Sequence, residues 1–317
     1  MALFLTEADV QGLLTMELAL EEVEAVFRAQ ATGDAVNQPR YRIPLERGAY
    51  NLMSAAWHTK GVVGHKSYVA TRGGVGFHVM LYGTRGEGLL AIFEAGRLGQ
   101  VRTGAASGVA TKFMAREDAR VLAIIGSGYQ ARTQLAAIAA VRPIEAARVY
   151  SRSPEHRAAF ASEMSEAMGF EVAAAASVAA CVDGADVIAT ITGAAEPVLT
   201  GDMVLAGVHI NAAGANSWLR RELDTQAVAR ADVIATDDVA QARVECAELM
   251  RAVDAGRLTW GRVHELGDIV GGSVAGRTSA GQVTLFESQG VALEDVAVAA
   301  RLLELARSTG VGTRVPS

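Results

Sequence analysis

Cysteine is nearly absent: Cys181 and Cys246 are the only two in 317 residues. They stand far apart in stretches that read as helix or strand, which excludes a disulfide-dense scaffold and points to two reduced structural thiols. No CxxC or HExxH spacing occurs, so no metal site is expected. Aromatic residues make up only 5% of the chain. No charge-free apolar run reaches the roughly 20 residues of a membrane helix. The opening MALFLTEADV turns acidic too soon for a signal peptide. Basic blocks are missing as well, and the formal net charge is −6. Nucleic-acid binding needs a clustered positive face, so it is disfavoured. These absences describe a chain with no membrane or nucleic-acid partner, expected in the cytoplasm.

Half of the residues are hydrophobic and a fifth are charged. Alanine, valine and glycine dominate, the profile of an α/β protein with close helix–sheet packing. The length suits two domains, each able to bury a core.

The most telling stretch is VLAIIGSGYQARTQLAAI, from Val121. Five apolar residues at 121–125 read as a buried parallel strand. Gly126, Ser127 and Gly128 follow, then Tyr129 and Gln130, and a helical pattern opens at Ala131. Glycines thus hold the first two fingerprint positions and Ala131 the third. Such a turn presents backbone N–H groups and a helix N-terminus to a pyrophosphate. This predicts a dinucleotide site but fixes no reaction.

Before that turn, capping signals at Thr6 and Thr15 predict two helices, the second ending at Gly33. Glycine-punctuated runs at 42–45, 50–54, 62–69, 76–82 and 88–94 then predict an antiparallel sheet. A helix pattern from Gly99 to Met114 connects to the next domain. Beyond it, strands are expected at 121–125, 147–150, 171–174, 187–190, 209–211 and 233–236, alternating with helices. That alternation argues for a doubly wound parallel sheet. A further strand at 283–286 precedes a last amphipathic helix at 293–306.

In NAD enzymes an acidic residue about 20 residues past the glycines grips the ribose. Here the second strand is followed by Ser151, Arg152 and Ser153. No carboxylate repels a 2′-phosphate, and an arginine with two hydroxyls suits one. NADP(H) is the expected cofactor, with NAD(H) left open. Thr190 and Thr192, at the end of the fourth strand, join the expected cofactor contacts.

Six segments carry a wider resemblance: QPRYRIPL from Gln38, GHKSYV from Gly64, GQVRTGAASGVATKFMA from Gly99, IIGSGYQA from Ile124, INAAGANSWLRRELD from Ile210 and VTLFESQGVALEDVAVA from Val283. In order and spacing the chain resembles the ornithine cyclodeaminase/μ-crystallin family along nearly its whole length. The resemblance implies an α+β substrate-binding and dimerisation domain at 1–115 and 291–317, and a Rossmann domain at 116–290. It also implies a homodimer joined through its N-terminal sheets, and it places Ser288 and Gly290 near the nicotinamide.

By the same resemblance Arg40, Lys66 and Arg102 hold the carboxylate of an amino-acid-like substrate, with Lys66 close to the reacting carbon–nitrogen centre. A guanidinium grips a carboxylate bidentately, and a lysine of lowered pKa donates a proton. Arg42, two residues from Arg40, remains a rival for the carboxylate. Ser107 and Thr111 share a helix face with Arg102 and are candidates for the cofactor phosphates, and Met53, Trp57 and Met80 are candidate pocket walls. Cyclodeaminases of the family carry an aspartate where this chain has Asn216, and an amide takes up no proton at neutral pH. The expectation is therefore an NADPH-dependent reductase of C=N bonds, acting on a cyclic ketimine carboxylate or a 2-imino acid. An alanine-type dehydrogenase, an ornithine or lysine cyclodeaminase and a non-catalytic NADPH-binding protein are the alternatives.

Overall fold

The structure, a computed structural model, describes residues 1–71 and 74–316. The chain divides into two units, Met1–Arg102 with Val291–Ser317, and Thr103–Gly290.

The first unit opens with β1 (Ala2–Leu5), a strand that the sequence reading missed, then α1 (Glu7–Leu13) and α2 (Met16–Ala31). Thr6 starts α1 with a reciprocal capping box: its hydroxyl accepts from Asp9 N, and Asp9 accepts from Thr6 N. Thr15 caps α2, which buries Ala19, Val23, Val26 and Phe27 at helical spacing. Five strands follow: β2 (Ala35–Leu45), β3 (Gly48–Trp57), β4 (Val62–Thr71), β5 (Gly74–Gly83) and β6 (Gly88–Glu94). They pair antiparallel in sequence order, as the glycine turns predict. Helix α3 (Gly96–Met114) comes next. The division between units falls inside it, after Arg102, whereas the sequence reading drew it at residue 115.

The second unit alternates strand and helix except where β11 follows β10 and α9 follows α8. It runs β7 (Val121–Ile125), α4 (Ala131–Val141), β8 (Ala146–Tyr150), α5 (Pro154–Met168), β9 (Glu171–Ala174), α6 (Val178–Val182) and β10 (Val187–Thr190). It continues with β11 (His209–Ala212), α7 (Thr225–Ala229), β12 (Val233–Thr236), α8 (Val239–Glu245), α9 (Ala247–Asp254), β13 (Val263–Glu265), α10 (Leu266–Gly271) and β14 (Thr284–Glu287). All eight strands are parallel, in the order β13-β12-β14-β11-β10-β7-β8-β9. The order reverses beside β7, between β10 and β8, which is where such sheets bind ligands at their C-terminal ends. β14 inserts between β11 and β12 although it comes later in the chain. Within this unit α3 and α4 meet backbone to backbone: a Cβ on Gly104 would lie 2.5 Å from Thr133 O.

The tail returns to the first unit. α11 (Ala292–Thr309) packs against α2, β3 and β4, and β15 (Thr313–Val315) pairs with β1. The seven-stranded sheet then reads β15-β1-β6-β5-β4-β3-β2. Leu293, Val296 and Leu302 are fully buried on α11, each worth about 2 kcal/mol of hydrophobic stabilisation. Gly64 lets the helix approach, because a Cβ there would stand 3.0 Å from Val296 Cγ2. Among the described residues, no helix is long and apolar enough to cross a membrane.

Candidate active site and cofactor cradle

In the first unit, β4 turns Val62, Gly64 and Lys66 to the buried face by its two-residue period. Lys66 lies in register between Met53 on β3 and Val79 on β5, both buried and apolar. Its Nζ stands 5.1 Å from the centre of the Phe77 ring and donates to Asp295 Oδ1 at 2.9 Å. Burial pushes the Lys66 pKa down to about 8; Arg102 and Arg40 add to the fall and Asp295 opposes it. Gly99 on α3 leaves room for this ammonium, since a Cβ there would be 2.6 Å from Nζ.

Arg102 is buried on α3. Its Nε donates to the same Asp295 Oδ1 at 3.0 Å, and its Nη1 donates to Glu294 Oε2 at 2.7 Å. Burial works against its charge, but Asp295 and Glu294 outweigh it and hold the guanidinium above its ordinary pKa.

A bulge decides where Arg40 points. The β2–β3 register shifts between Gln38 and Tyr41, so Pro39 and Arg40 together face Met53. Before the bulge the inward positions are Ala35 and Asn37; after it they are Arg40 and Arg42. Arg40 thereby reaches the face of Lys66, with Met53 between them, and is itself buried. Arg42 is less buried and donates to Asn51 Oδ1 at 3.1 Å. Of the two arginines, only Arg40 is among the charges acting on Lys66. Trp57, expected as a pocket wall, donates Nε1 to half-buried Asp34. His65 faces away from Lys66 and stacks on Tyr82.

In the second unit, the β7–α4 turn fits a dinucleotide. Gly126 has φ +119, and a Cβ there would lie 2.4 Å from Ile191 O. Only glycine holds that position. The space beside Gly128 is open, and no side chain caps α4 at Gln130. The open turn at this helix N-terminus suits a pyrophosphate. Ala131 is fully buried, as close packing at the third fingerprint position requires. Tyr129 stands exposed beside the turn.

At the end of β8, Ser127 Oγ donates to Ser151 Oγ at 2.9 Å. Arg152 is exposed. The Ser153 hydroxyl caps α5 by accepting from His156 N. Arg157, missed in the sequence, lies over the Tyr150 ring and donates to Ser151 O. It thereby adds a second arginine to this strand end.

Several expected contacts are spoken for elsewhere. Thr190 is fully buried and donates to Glu222 Oε2. Thr192 is partly exposed, but its N–H donates to Glu222 Oε1. Ser288 and Gly290 are buried, and both donate to Asp237 Oδ2, along with Gln289 N. Ser107 and Thr111 are buried too: Thr111 Oγ1 donates to Ser107 O and accepts from Asn211. Asn216 is exposed on the loop after β11.

Glu222 was the main omission from the sequence reading. Its carboxylate accepts from Thr190, Thr192 N and Gly214 N, tying the loops that leave β10 and β11. Glu248 in turn accepts from Glu222 N. Near them the fold gathers Cys246, Glu248 and Glu287, whose candidate ligand atoms all lie within 4.8 Å of one another. Burial pushes the Glu248 carboxyl up to about 7, and burial with neighbouring acids pushes Glu287 and Cys246 well above their usual values. Each of these shifts favours the neutral form, which lessens the crowding of charge. No short motif announces the cluster, because its members come from two separate segments. Both cysteines are free and buried.

The Ornithine cyclodeaminase/mu-crystallin family profile matches residues 1–310. The chain belongs to this family. Its structure is similar to that of a Delta(1)-pyrroline-2-carboxylate reductase from Thermococcus litoralis, solved with NADH and L-proline. The TM-score is 0.94 at 33% identity, over 99% of this chain and 100% of the other. The iminosuccinate reductase of Paracoccus denitrificans, solved with NAD+, matches with TM-score 0.94 at 32% identity over 100% and 99% of the two chains. An archaeal alanine dehydrogenase dimer with bound NAD matches with TM-score 0.93 at 32% identity over 99% of each chain. These family members agree with the cradle described above: each was solved with a nicotinamide dinucleotide.

Proposed function

We propose that this protein is an NAD(P)H-dependent reductase of carbon–nitrogen double bonds. Its substrate is a cyclic 2-imino carboxylate, or a 2-imino acid formed from a 2-oxo acid and an amine. One observation carries the reading: a buried lysine with a pKa of about 8, grouped with two arginines, on a chain with a dinucleotide turn. Arg40 and Arg102 grip the carboxylate, and the bidentate fork fixes its orientation. When bound, NAD(P)H supplies a hydride to the imine carbon. Lys66 Nζ donates a proton to the substrate nitrogen and screens negative charge at the centre. The dry walls of Met53 and Val79 keep water from this ammonium.

Asn216 favours reduction over cyclodeamination, because an amide is no base toward a substrate amine. The names of two relatives, a pyrroline-2-carboxylate reductase and an iminosuccinate reductase, support the same reading. Arg152 and Arg157 support a preference for NADPH. A homodimer is supported by the dimeric alanine dehydrogenase and by exposed Tyr41, Ile43, Val63 and Val69 on the N-terminal sheet; sedimentation velocity tests it.

The deciding experiment follows oxidation of NADPH and NADH with pyrroline-2-carboxylate, piperideine-2-carboxylate, iminosuccinate, and pyruvate with ammonia. Turnover of the imines is expected. Reduction of pyruvate with ammonia alone would make the protein an alanine-type dehydrogenase. Proline and ammonia formed from ornithine, without net cofactor use, would make it a cyclodeaminase.

A further inference from the structure

A cavity of about 390 Å³ opens within the first unit, under the second half of α11. Its other walls come from the β3–β4 turn and the β5–β6 hairpin. The volume is that of a small-molecule pocket. Neither Lys66, Arg40 nor Arg102 lines it. Val62 does, and Lys66 lies four residues further along β4 on the same face. At about 3.3 Å per residue the two stand about 13 Å apart along the strand.

The lining divides by chemistry. Leu89, Leu90, Ala300 and Leu303 form an apolar floor. Ala300, Leu303 and Arg307 continue the stripe of α11 that starts with Val296 over Gly64, at helical spacing. Three exposed cations stand at the rim: Lys60, Arg85 and Arg307. Gly61 seats one of them, since its φ is +66 and a Cβ there would lie 3.2 Å from the Arg85 guanidinium. Glu87 and Glu304 share the rim, but both are engaged. Glu304 Oε2 accepts from Arg301 Nη1 at 2.9 Å, and Glu87 Oε2 accepts from Arg85 N at 2.8 Å. Lys60 Nζ rests 5.4 Å from the centre of the Trp57 ring. Among the described residues Arg307 forms neither a hydrogen bond nor an ion pair.

An apolar floor under a rim of guanidinium and ammonium groups suits one kind of occupant. We infer that this cavity is a second small-molecule site, separate from the imine site, and that it takes an aliphatic carboxylate. The carboxylate meets Arg307, whose planar fork matches it, with Lys60 beside it. The hydrocarbon body covers Leu90 and Leu303, which gain by leaving water. Such an occupant ties α11 to the β3–β4 turn and braces the helix that carries Glu294 and Asp295. The inference goes beyond the imine-reductase reading and does not depend on it.

The test is calorimetry of the full chain with octanoate and with octanamide, its neutral counterpart. Octanoate should bind, and octanamide at least about ten-fold more weakly, the scale of one charge pair near a protein surface. Arg307→Glu should weaken octanoate by about ten-fold or more and leave NADPH affinity unchanged. Ala300→Leu, which fills the floor, should weaken octanoate and octanamide alike. Should that variant fail to fold, Arg307→Glu at its exposed position decides. Hydrogen exchange adds a readout of place: octanoate should slow exchange of the amides in the second half of α11. No binding of octanoate overturns the inference, and so does equal affinity for the amide. Binding that survives Arg307→Glu, that NADPH displaces, or that leaves exchange in α11 unaltered lies elsewhere on the protein and overturns it too.

Discussion

The missing side chain of Gly99 makes the space for the ammonium of Lys66. A Cβ on Gly99 would come within 2.6 Å of Nζ, well inside contact distance. Gly99 lies in the first turns of α3, where glycine is otherwise a poor choice.

Gly99→Ala should therefore cost both activity and stability. Alanine favours the helix by about 0.8–1 kcal/mol over glycine, while its methyl displaces Nζ from Asp295. Imine reduction should fall at least about ten-fold, since small misplacements at a reacting centre are costly. The melting temperature should fall too, because displacing a buried ion pair costs more than the helix gains. Thermal unfolding and steady-state rates on the same preparation check this, and unchanged kcat/KM would remove Lys66 Nζ from the chemistry.

Lys66 sets an alkaline limit. Its folded pKa lies near 8, below the ordinary lysine value. A donor must be protonated, so kcat/KM should be flat below this pH and decline above it. Lys66→Met should lower kcat by about 100-fold or more, the usual scale for a lost general acid, and should abolish the limb. A limb that survives in Lys66→Met belongs to another group.

Glu222 should govern cofactor affinity without touching cofactor. Glu222→Gln replaces one accepting oxygen with an NH2, which then meets the N–H of Thr192 or Gly214. An unmatched buried donor costs about 1–3 kcal/mol. Lower thermal stability and weaker NAD(P)H binding should appear together, by fluorescence titration. Weaker stability with unchanged cofactor affinity would confine Glu222 to the core.

Elements with a local cause were legible in the sequence. The capping threonines, the glycine-bounded strands and the turn at Gly126 are each specified by residues close together in the chain. The site was legible only in its cations. Arg40 could not be told from Arg42, because the bulge that turns Arg40 inward depends on pairing with β3. Thr190 looked available because its period places it at a strand end, yet Glu222, thirty-two residues on, claims its hydroxyl. Strand β1 was missed because its partners lie about ninety and more than three hundred residues away. Position of β14 between β11 and β12 is likewise a tertiary outcome that alternation does not encode.

Cofactor choice should turn on Arg152. If Arg152 holds a 2′-phosphate, Arg152→Glu should raise KM for NADPH about ten-fold or more relative to NADH. Arg157→Ala should move the ratio in the same direction, less strongly. A ratio unchanged in both variants would leave the two arginines as ordinary surface charges. Initial rates with each reduced nicotinamide measure it.

The return of α11 to the first unit has a bearing on how the protein is made. Arg40, Lys66 and Arg102 are all synthesised by residue 102, but Glu294 and Asp295 emerge only after all of Thr103–Gly290. On the ribosome the Rossmann unit is complete before the unit that precedes it. Until the tail docks, Lys66 and Arg102 have no buried counter-ions and no reason to leave water. The ion pairs of Lys66 and Arg102 are thus completed only when α11 docks, and β15 then pairs beside β1.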